Sequence, residues 1–422
     1  MTGRTRPERR AGFLLPFGRN RDWVPLKKAK DLSSLLPDTG LMDRLLTDKH
    51  RAVRRSVRAF CESELRPIAA EIDEEARFPW EVVEKMAALG YFGIQVPASL
   101  GGAGLDSVSY AITIEEISRV CGALGLCVAV HNSVAVHPLM AFGSEAQKQR
   151  WVRPMARGEK IGAFCLTEPN AGSDAAAVSA TAIPGEGGFT INANKVFVTN
   201  GGVADVCLIF ARTAPSAGRK GISVLVAERG TPGFVVGELE NLCGMRANPV
   251  GSIRLNDCRV PLDNLLGREG GGLTIGLAAL DVGRVGVAAQ AVGIAQAALE
   301  EAVQYAKQRR TFGVALQGHQ AIQMMIAEMA TRVEAARLLV YRAAELKDRR
   351  MEFTKESAMC KLFASEAACR VTDAAVQIHG GYGYSKAYAV ERYYRDARVT
   401  RIYEGTSEIH KMVIAREVLQ GT

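Results

Sequence analysis

Apolar positions recur at three- and four-residue spacing over the first third of the chain, at two-residue spacing over the middle, and at helical spacing again to the end. Over 41–159, Val53, Val57, Phe60 and Leu65 lead up to Pro67, and Val82, Val83, Met86 and Leu89 form a shorter helix closed by Gly90. A glycine-rich turn, Gly101-Gly102-Ala103-Gly104, precedes helices near 107–121 and 123–142, the second expected to bend or break before Pro138. Ser144 and Gln147 have capping-box spacing, which starts another helix running to about Arg157. The texture changes at Ile161: short runs at 189–191, 195–199, 206–211, 222–227 and 234–236 alternate with Gly, Asn and Pro, the pattern of a small β domain ending near Cys258-Arg259-Val260-Pro261. Beyond Gly270-Gly271-Gly272 long Ala-rich helical segments cover 273–308, 318–349, 354–378 and 385–398. Small residues over 286–298 allow close helix approach, as a bundle or a subunit interface requires. Residues 1–40, with four prolines and no sustained period, read as an irregular extension. The predicted division is therefore 1–40 basic extension, 41–160 helical, 161–272 β and 273–422 helical.

Charge and cysteine usage narrow the classes. The net +8 is concentrated: residues 1–30 hold six Arg and three Lys against Glu8 and Asp22, leaving +1 for the other 392 residues. A basic face for nucleic acid is not indicated. The most apolar run, 123–142, is interrupted by His131, Asn132, Ser133 and His137 and reads as a buried helix, so no membrane span is expected. Nine cysteines are scattered singly, without Cys-x-x-Cys or a zinc spacing, so no metal site is expected and the thiols are expected free in a reducing compartment. The Arg-rich N-terminus is compatible with a mitochondrial transit peptide, but its few serines, Trp23 and its Lys cluster fit a bacterial cytoplasmic protein with a loose basic arm at least as well.

Three stretches carry candidate chemistry. In Arg401-Ile402-Tyr403-Glu404-Gly405-Thr406-Ser407-Glu408-Ile409 a carboxylate sits before a helix start, with Thr406 or Ser407 as N-cap. Flanked by Ile402 and Tyr403, Glu404 would be poorly hydrated, which raises a carboxyl pKa and makes it a usable base; the same spacing also describes an ordinary helix-start acid. In 163–174 a strand runs into a Pro/Gly turn whose N–H groups could meet an anion or a polar ring edge. In Lys195-Val196-Phe197-Val198-Thr199-Asn200-Gly201 the aromatic and the hydroxyl fall on one strand face, where they could cover a flat heterocycle or simply be a core Phe and a satisfied Thr. No Gly-x-Gly-x-x-Gly follows a strand, so a Rossmann-type site is not supported.

Together with Asp281-Val282-Gly283-Arg284, Gln308-Arg309-Arg310-Thr311-Phe312-Gly313, His319-Gln320-Ala321-Ile322 and Gln377-Ile378-His379-Gly380-Gly381-Tyr382-Gly383, these stretches resemble the acyl-CoA dehydrogenase family from about residue 43 to the end. The resemblance implies an α+β multidomain fold: an N-terminal helical domain, a middle β-barrel or sandwich, and a C-terminal four-helix bundle. It implies FAD, lined by Phe164, Cys165, Leu166, Thr167, Gly172 and Ser173 through backbone and Thr167 contacts. Phe197, Val198 and Thr199 would lie on the flavin's other side, Phe197 standing where many members carry Trp. Arg309, Thr311, Phe312 and Gln320 would hold the pyrophosphate and adenosine, an Arg suiting phosphate by its two parallel donors. Gln377, Ile378, His379, Gly380 and Gly381 would reach the FAD of a neighbouring subunit, and Thr406, Ser407 and Glu408 would complete the cofactor site. Ser173, Asp281, Val282, Gly283, Arg284 and Gly405 would contact acyl-CoA. Glu404 would take the α-proton of a thioester while a hydride leaves the β-carbon for flavin N5, with the thioester oxygen held in an oxyanion-hole arrangement. The partners implied are an acyl-CoA, electron-transferring flavoprotein and further copies of the chain in a homotetramer.

Two variants of the pattern are disfavoured. Some relatives place the base on the helix near 281–284, where this chain has Gly283; glutaryl-type members carry an arginine where this chain has Gly125. The apolar 123–142 region suits a short or medium acyl chain. The alternatives are a flavin oxidase or monooxygenase on the same fold, separated by whether reduced flavin persists in air, and a non-catalytic assembly protein, which would remain colourless after FAD reconstitution.

Overall fold

The structure, a computed structural model, describes residues 46–421. The basic extension expected at 1–40 lies outside the described residues.

Helix α1 (Asp48–Phe60) starts on a capping box in which the Thr47 hydroxyl accepts from the His50 N–H. Pro67 does not end the helical path as expected. The hydrogen bonding loosens into a π turn (Cys61–Leu65), tightens into a 3-10 turn (Arg66–Ile68) around the missing donor, and resumes at Ala69–Glu74. Helix α2 (Trp80–Ala88) is closed by Gly90 at φ +79°. Helix α3 (Ser107–Ser118), capped by Asp106, is buried along its whole length. Its acids are therefore paired: Glu115 accepts from Arg337 Nε and the Tyr341 hydroxyl, both at 2.8 Å, and Glu116 accepts from Arg58 at 2.8 and 2.9 Å. In α4 (Gly122–Val130) the break expected before Pro138 takes the form of a π turn, His131–Val136, after which helix continues at His137–Phe142. The Ser144/Gln147 capping box forms.

The strands are β1 (Gly162–Cys165), β2 (Thr181–Gly185), β3 (Gly188–Val198), β4 (Val206–Arg212), β5 (Ile222–Glu228), β6 (Phe234–Leu239), β7 (Gly251–Pro261) and β8 (Leu265–Leu266). They form one sheet in the order β6-β7-β3-β2-β4-β5-β8, with β1 parallel to β4. Alternation along β4 serves two cores. Leu208 and Phe210 face Trp151, Met155 and Leu139 of the helical part, while Cys207 and Ile209 face Ile191 of β3 and Leu255 of β7. The sheet thus curls over a core of its own, which is why β7, polar on its outer face, shows no clear apolar run.

The helical part and the sheet are joined by buried polar contacts. Asn200 Nδ2 donates to the Cys127 carbonyl at 3.2 Å and Asn248 Nδ2 to the Ala123 carbonyl at 3.5 Å, and on the sheet side the two are tied by Asn248 Nδ2 donating to Asn200 Oδ1 at 2.9 Å. The Gly162 N–H donates to His131 Nδ1 at 3.0 Å.

Helices α5 (Gly272–Gln308), α6 (Gln320–Asp348) and α7 (Thr354–His379) form the C-terminal bundle with α8 (Val390–Val399) and α9 (Ser407–Gln420). Small residues on α5 allow close approach: a Cβ at Gly286 would overlap the Tyr110 hydroxyl, and one at Gly293 the Glu115 carbonyl. By length and mean hydropathy two segments, Gly122–Phe142 and Gly272–Gln308, are apolar enough to cross a membrane. Their most apolar windows are 89% and 67% buried inside the protein, as core helices are.

Candidate active site

Glu404 lies in the turn between α8 and α9 with φ +52°, followed by Gly405 at φ +101°. Thr406 caps α9, its hydroxyl accepting from the Ile409 N–H. The bend turns the Glu404 carboxylate inward onto α5. A Cβ built on Gly283 would overlap Oε2 and stand 2.7 Å from Cδ, so a side chain at 283 and this carboxylate exclude each other. Oε2 is buried and, among the described residues, has no hydrogen-bond partner. Burial pushes the carboxyl up to about 7, with Lys361 on α7 and Arg284 on α5 opposing the rise. The turn is braced from both sides: the Tyr403 hydroxyl donates to Gln290 Oε1 at 2.6 Å, and Arg401 Nε and the Ser407 hydroxyl donate to Glu366 Oε1 at 2.7 and 2.8 Å. Beside the carboxylate, Val282 and Arg284 are buried, and Arg284 Nη1 donates to Asp281 Oδ1 at 2.6 Å. The other Asp281 oxygen accepts from Thr354 at 2.7 Å. At Gly125 a Cβ would overlap Ser118 Oγ, so that position cannot carry the arginine of a dicarboxyl-binding site.

The residues expected around the flavin fall into two groups. In the first, the Val196 N–H donates to the Thr167 carbonyl at 3.1 Å, setting 164–167 beside Phe197. Phe164 is half-buried against Phe210, ring centroids 4.7 Å apart, and Gly172 and Ser173 are exposed. Cys165 and Val198 turn their side chains into the sheet core, so their expected contact with a flavin reduces to backbone. The expectation that Phe197 and Thr199 share the face of one strand is corrected. The β3–β7 register shifts between Lys195 and Val198, Phe197 has φ +52°, and the strand ends before Thr199. That irregularity presents the Phe197 ring to the outside, 60% exposed. The first group rests on a buried ion pair that no motif announces. Lys195 Nζ donates to Glu168 Oε1 at 2.7 Å, Leu166 O at 3.1 Å and Phe210 O at 2.7 Å. Glu168 also accepts from the Ser179 and Ala180 N–H groups, at 2.6 and 3.0 Å.

The second group lines an open cleft of about 610 Å³ that contains Arg309 and Thr311 together with Ile378, His379, Gly380 and Gly381. The structure therefore unites two sets expected to serve the FAD of different subunits. His379 stacks on Tyr305 at 4.2 Å. Phe312 (φ +48°) is 94% exposed, and Gln320 opens α6 at the surface. Gln377 is exposed, as is Glu408 at the start of α9. The donor set suits a dinucleotide: a guanidinium beside Gly380 and Gly381, near which a Cβ would meet nothing within 4 Å, and a separate exposed aromatic ring beside open backbone.

Lys361, Glu366, Gln290, Glu168 and Lys195 were not expected at the site. Lys361 had a signal: its helical neighbours at three and four residues, Ser357, Ala358, Ala364 and Ser365, are all small and all buried, which puts Lys361 on an inward stripe.

Family models described as the acyl-CoA dehydrogenase N-terminal, middle and C-terminal domains match residues 47–159, 163–258 and 270–419. A relative from Rattus norvegicus, "Short-chain specific acyl-CoA dehydrogenase, mitochondrial", is 46% identical over 402 residues, covering 95% of each chain. Among solved structures, butyryl-CoA dehydrogenase from Megasphaera elsdenii superposes with a TM-score of 0.87 at 41% identity, covering 89% of this chain and 99% of that one. A chain from a study of the electron transferring flavoprotein of Acidaminococcus fermentans gives 0.88 at 43% identity, with the same coverage of 89% and 99%.

Proposed function

The chain belongs to the acyl-CoA dehydrogenase family, and from that premise we propose that it converts a short- or medium-chain acyl-CoA to the trans-2-enoyl-CoA with Glu404 as the base. The observation that carries this reading is the Glu404 carboxylate lying on the bare backbone of Gly283 between two cations, its Oε2 buried and, among the described residues, without a hydrogen-bond partner. A carboxylate with no partner to satisfy it is free to take a proton, and a pKa near neutrality matches general-base work. The family is FAD-dependent, and FAD when bound supplies the acceptor for the β-hydride. Phe164–Thr167 backbone, Phe197 and Thr406–Glu408 would hold its ring end. Arg309, Thr311 and 378–381 address one cofactor molecule together, since they share one cleft; if the glycines reach a neighbour's FAD, Arg309 does too. Arg284 and Lys361 keep the field at the carboxylate positive, and the apolar 123–142 region would take the acyl chain. Electrons then leave to an electron-transferring flavoprotein. Exposed Phe312, Tyr384 and Leu419 on the C-terminal bundle support self-association, for which we take a homotetramer.

The test is anaerobic bleaching of the bound flavin by butyryl-CoA in the wild type and in Glu404→Gln. Rapid bleaching in the first and a loss of about 10²–10⁴ in rate in the second is expected. Equal rates would remove Glu404 as the base. Light scattering after gel filtration checks the tetramer.

A further inference from the structure

Lys361 is fully buried in the middle of α7, 0% exposed, in a helix face of small residues. An ammonium in such a place costs several kcal/mol unless it is engaged. Its Nζ donates to the Gly405 carbonyl at 2.5 Å. Gly405 is the second residue of the left-handed pair that turns Glu404 inward, and a non-glycine residue held at positive φ costs about 1–3 kcal/mol. The bend therefore has to be held from outside itself, and the one carbonyl at its apex is held by α7.

We propose that Lys361 is the positioning residue of this site: it clamps the Gly405 carbonyl so that the Glu404 carboxylate stays on Gly283, and its charge keeps that carboxylate ionised. The proposal rests on the reading of Glu404 as base. The charged and titratable groups around Lys361 are Glu404 from the turn, Arg284 from α5, Glu366 and Cys360 from α7 itself, and His410 from α9. Most are committed elsewhere or uncharged. Arg284 is held by Asp281, and Glu366 accepts from Arg401 and Ser407. His410 lies with its ring against the Glu404–Gly405 backbone, and burial pulls it down to about 3, so it is neutral. That leaves Lys361 and Glu404 as the charges that act on each other. Burial brings Lys361 down to about 7 against the pull of Glu404, and Glu404 up to about 7 against the pull of Lys361 and Arg284. Each charge pulls the other group toward its charged form, against burial.

The experiment compares Lys361→Gln, which keeps a donor and drops the charge, with Lys361→Met, which drops both, and with Lys361→Arg, all loaded with FAD. Two quantities are read: the pH profile of kcat/KM on butyryl-CoA, and an infrared titration of the buried carboxyl band identified by its absence in Glu404→Gln. Loss of the charge should move both the acid limb and the carboxyl band upward by about one pH unit or more in the Gln and Met variants, since an opposite charge at close range is worth about 1–3 units. The Met variant should in addition lose at least about tenfold in kcat at every pH, with KM less affected, because the bend is no longer held. Lys361→Arg should keep the wild-type limb. If the Met variant does not fold, the Gln and Arg variants decide through the limb and the band. An unmoved limb and band in folded Lys361→Gln, with Glu404→Gln inactive, overturns the role of Lys361 and leaves the base in place; an active Glu404→Gln removes the base reading itself.

Discussion

Gly283 and Glu404 share one volume: the carboxylate of Glu404 occupies the space a Cβ on residue 283 would need. An alanine within a helix ordinarily stabilises by about 0.5–1 kcal/mol relative to glycine. At 283 it must instead push the base aside. Gly283→Ala is expected to keep its FAD, read from the flavin absorbance of the purified protein, and to lose about 10²-fold in kcat, as a small misplacement of a reacting group does. An alanine variant with wild-type kcat would show that Glu404 works from another position.

Stability should carry the mark of the raised carboxyl. With Glu404 near about 7 in the fold and 4.5 as its ordinary value, the folded protein keeps a proton that the unfolded chain has given up between those pH values. The associated stability is complete below 4.5 and is lost as pH rises through 7. Glutamine has no such dependence. Glu404→Gln is expected to melt with the wild type near pH 5 and above it at pH 8, by about 2 kcal/mol. Parallel melting curves across that range would contradict the buried, partnerless carboxylate.

The same shift sets the rate profile. For the wild type, kcat/KM on butyryl-CoA should climb with pH through a limb near about 7 and then level, because only the ionised base accepts the α-proton. A limb near 4.5 would mean that the carboxylate is hydrated in the working enzyme.

Below the flavin-lining segment, Lys195 and Glu168 form the buried pair that fixes Leu166 and the 179–180 backbone. Removing one partner strands the other charge. Lys195→Met is expected to lose about 3–5 kcal/mol in urea unfolding, and Lys195→Met with Glu168→Gln less than the sum of the two single changes. Additive losses would show that the two side chains act independently.

How far the sequence can be read depends on whether a feature is local. The helical face of α1, the Ser144 cap and the Thr406 cap are written in neighbouring residues and appear where the spacing places them. The flanks of Glu404 announce a helix start but fit an ordinary acid there as well; what singles it out in the sequence is the company of the other motifs. Alternation misplaces Phe197 because it assumes an unbroken register, and nothing in 195–199 marks the shift against β7. Pro67 reads as an end, but the path continues through π and 3-10 turns that absorb the missing donor, while the break expected before Pro138 is a π turn. Arg309 and Gly380 meet only because α5 and α7 end beside one another, a fact of topology. Lys361 is written into the stripe of small residues on α7, but a lysine among alanines on an exposed helix has the same spelling.

The contacts made by Asn200, Asn248 and His131 have a further consequence for how the molecule comes apart. Asn200 to Cys127, Asn248 to Ala123 and Gly162 to His131 each span the boundary between the helices and the curled sheet, so opening that boundary strands buried donors and acceptors on both sides. Helices and sheet should then exchange their backbone deuterons in step, the Gly162 amide as slowly as those at the centre of α5. Substrate would enter a rigid vessel by way of its loops, without the two halves parting.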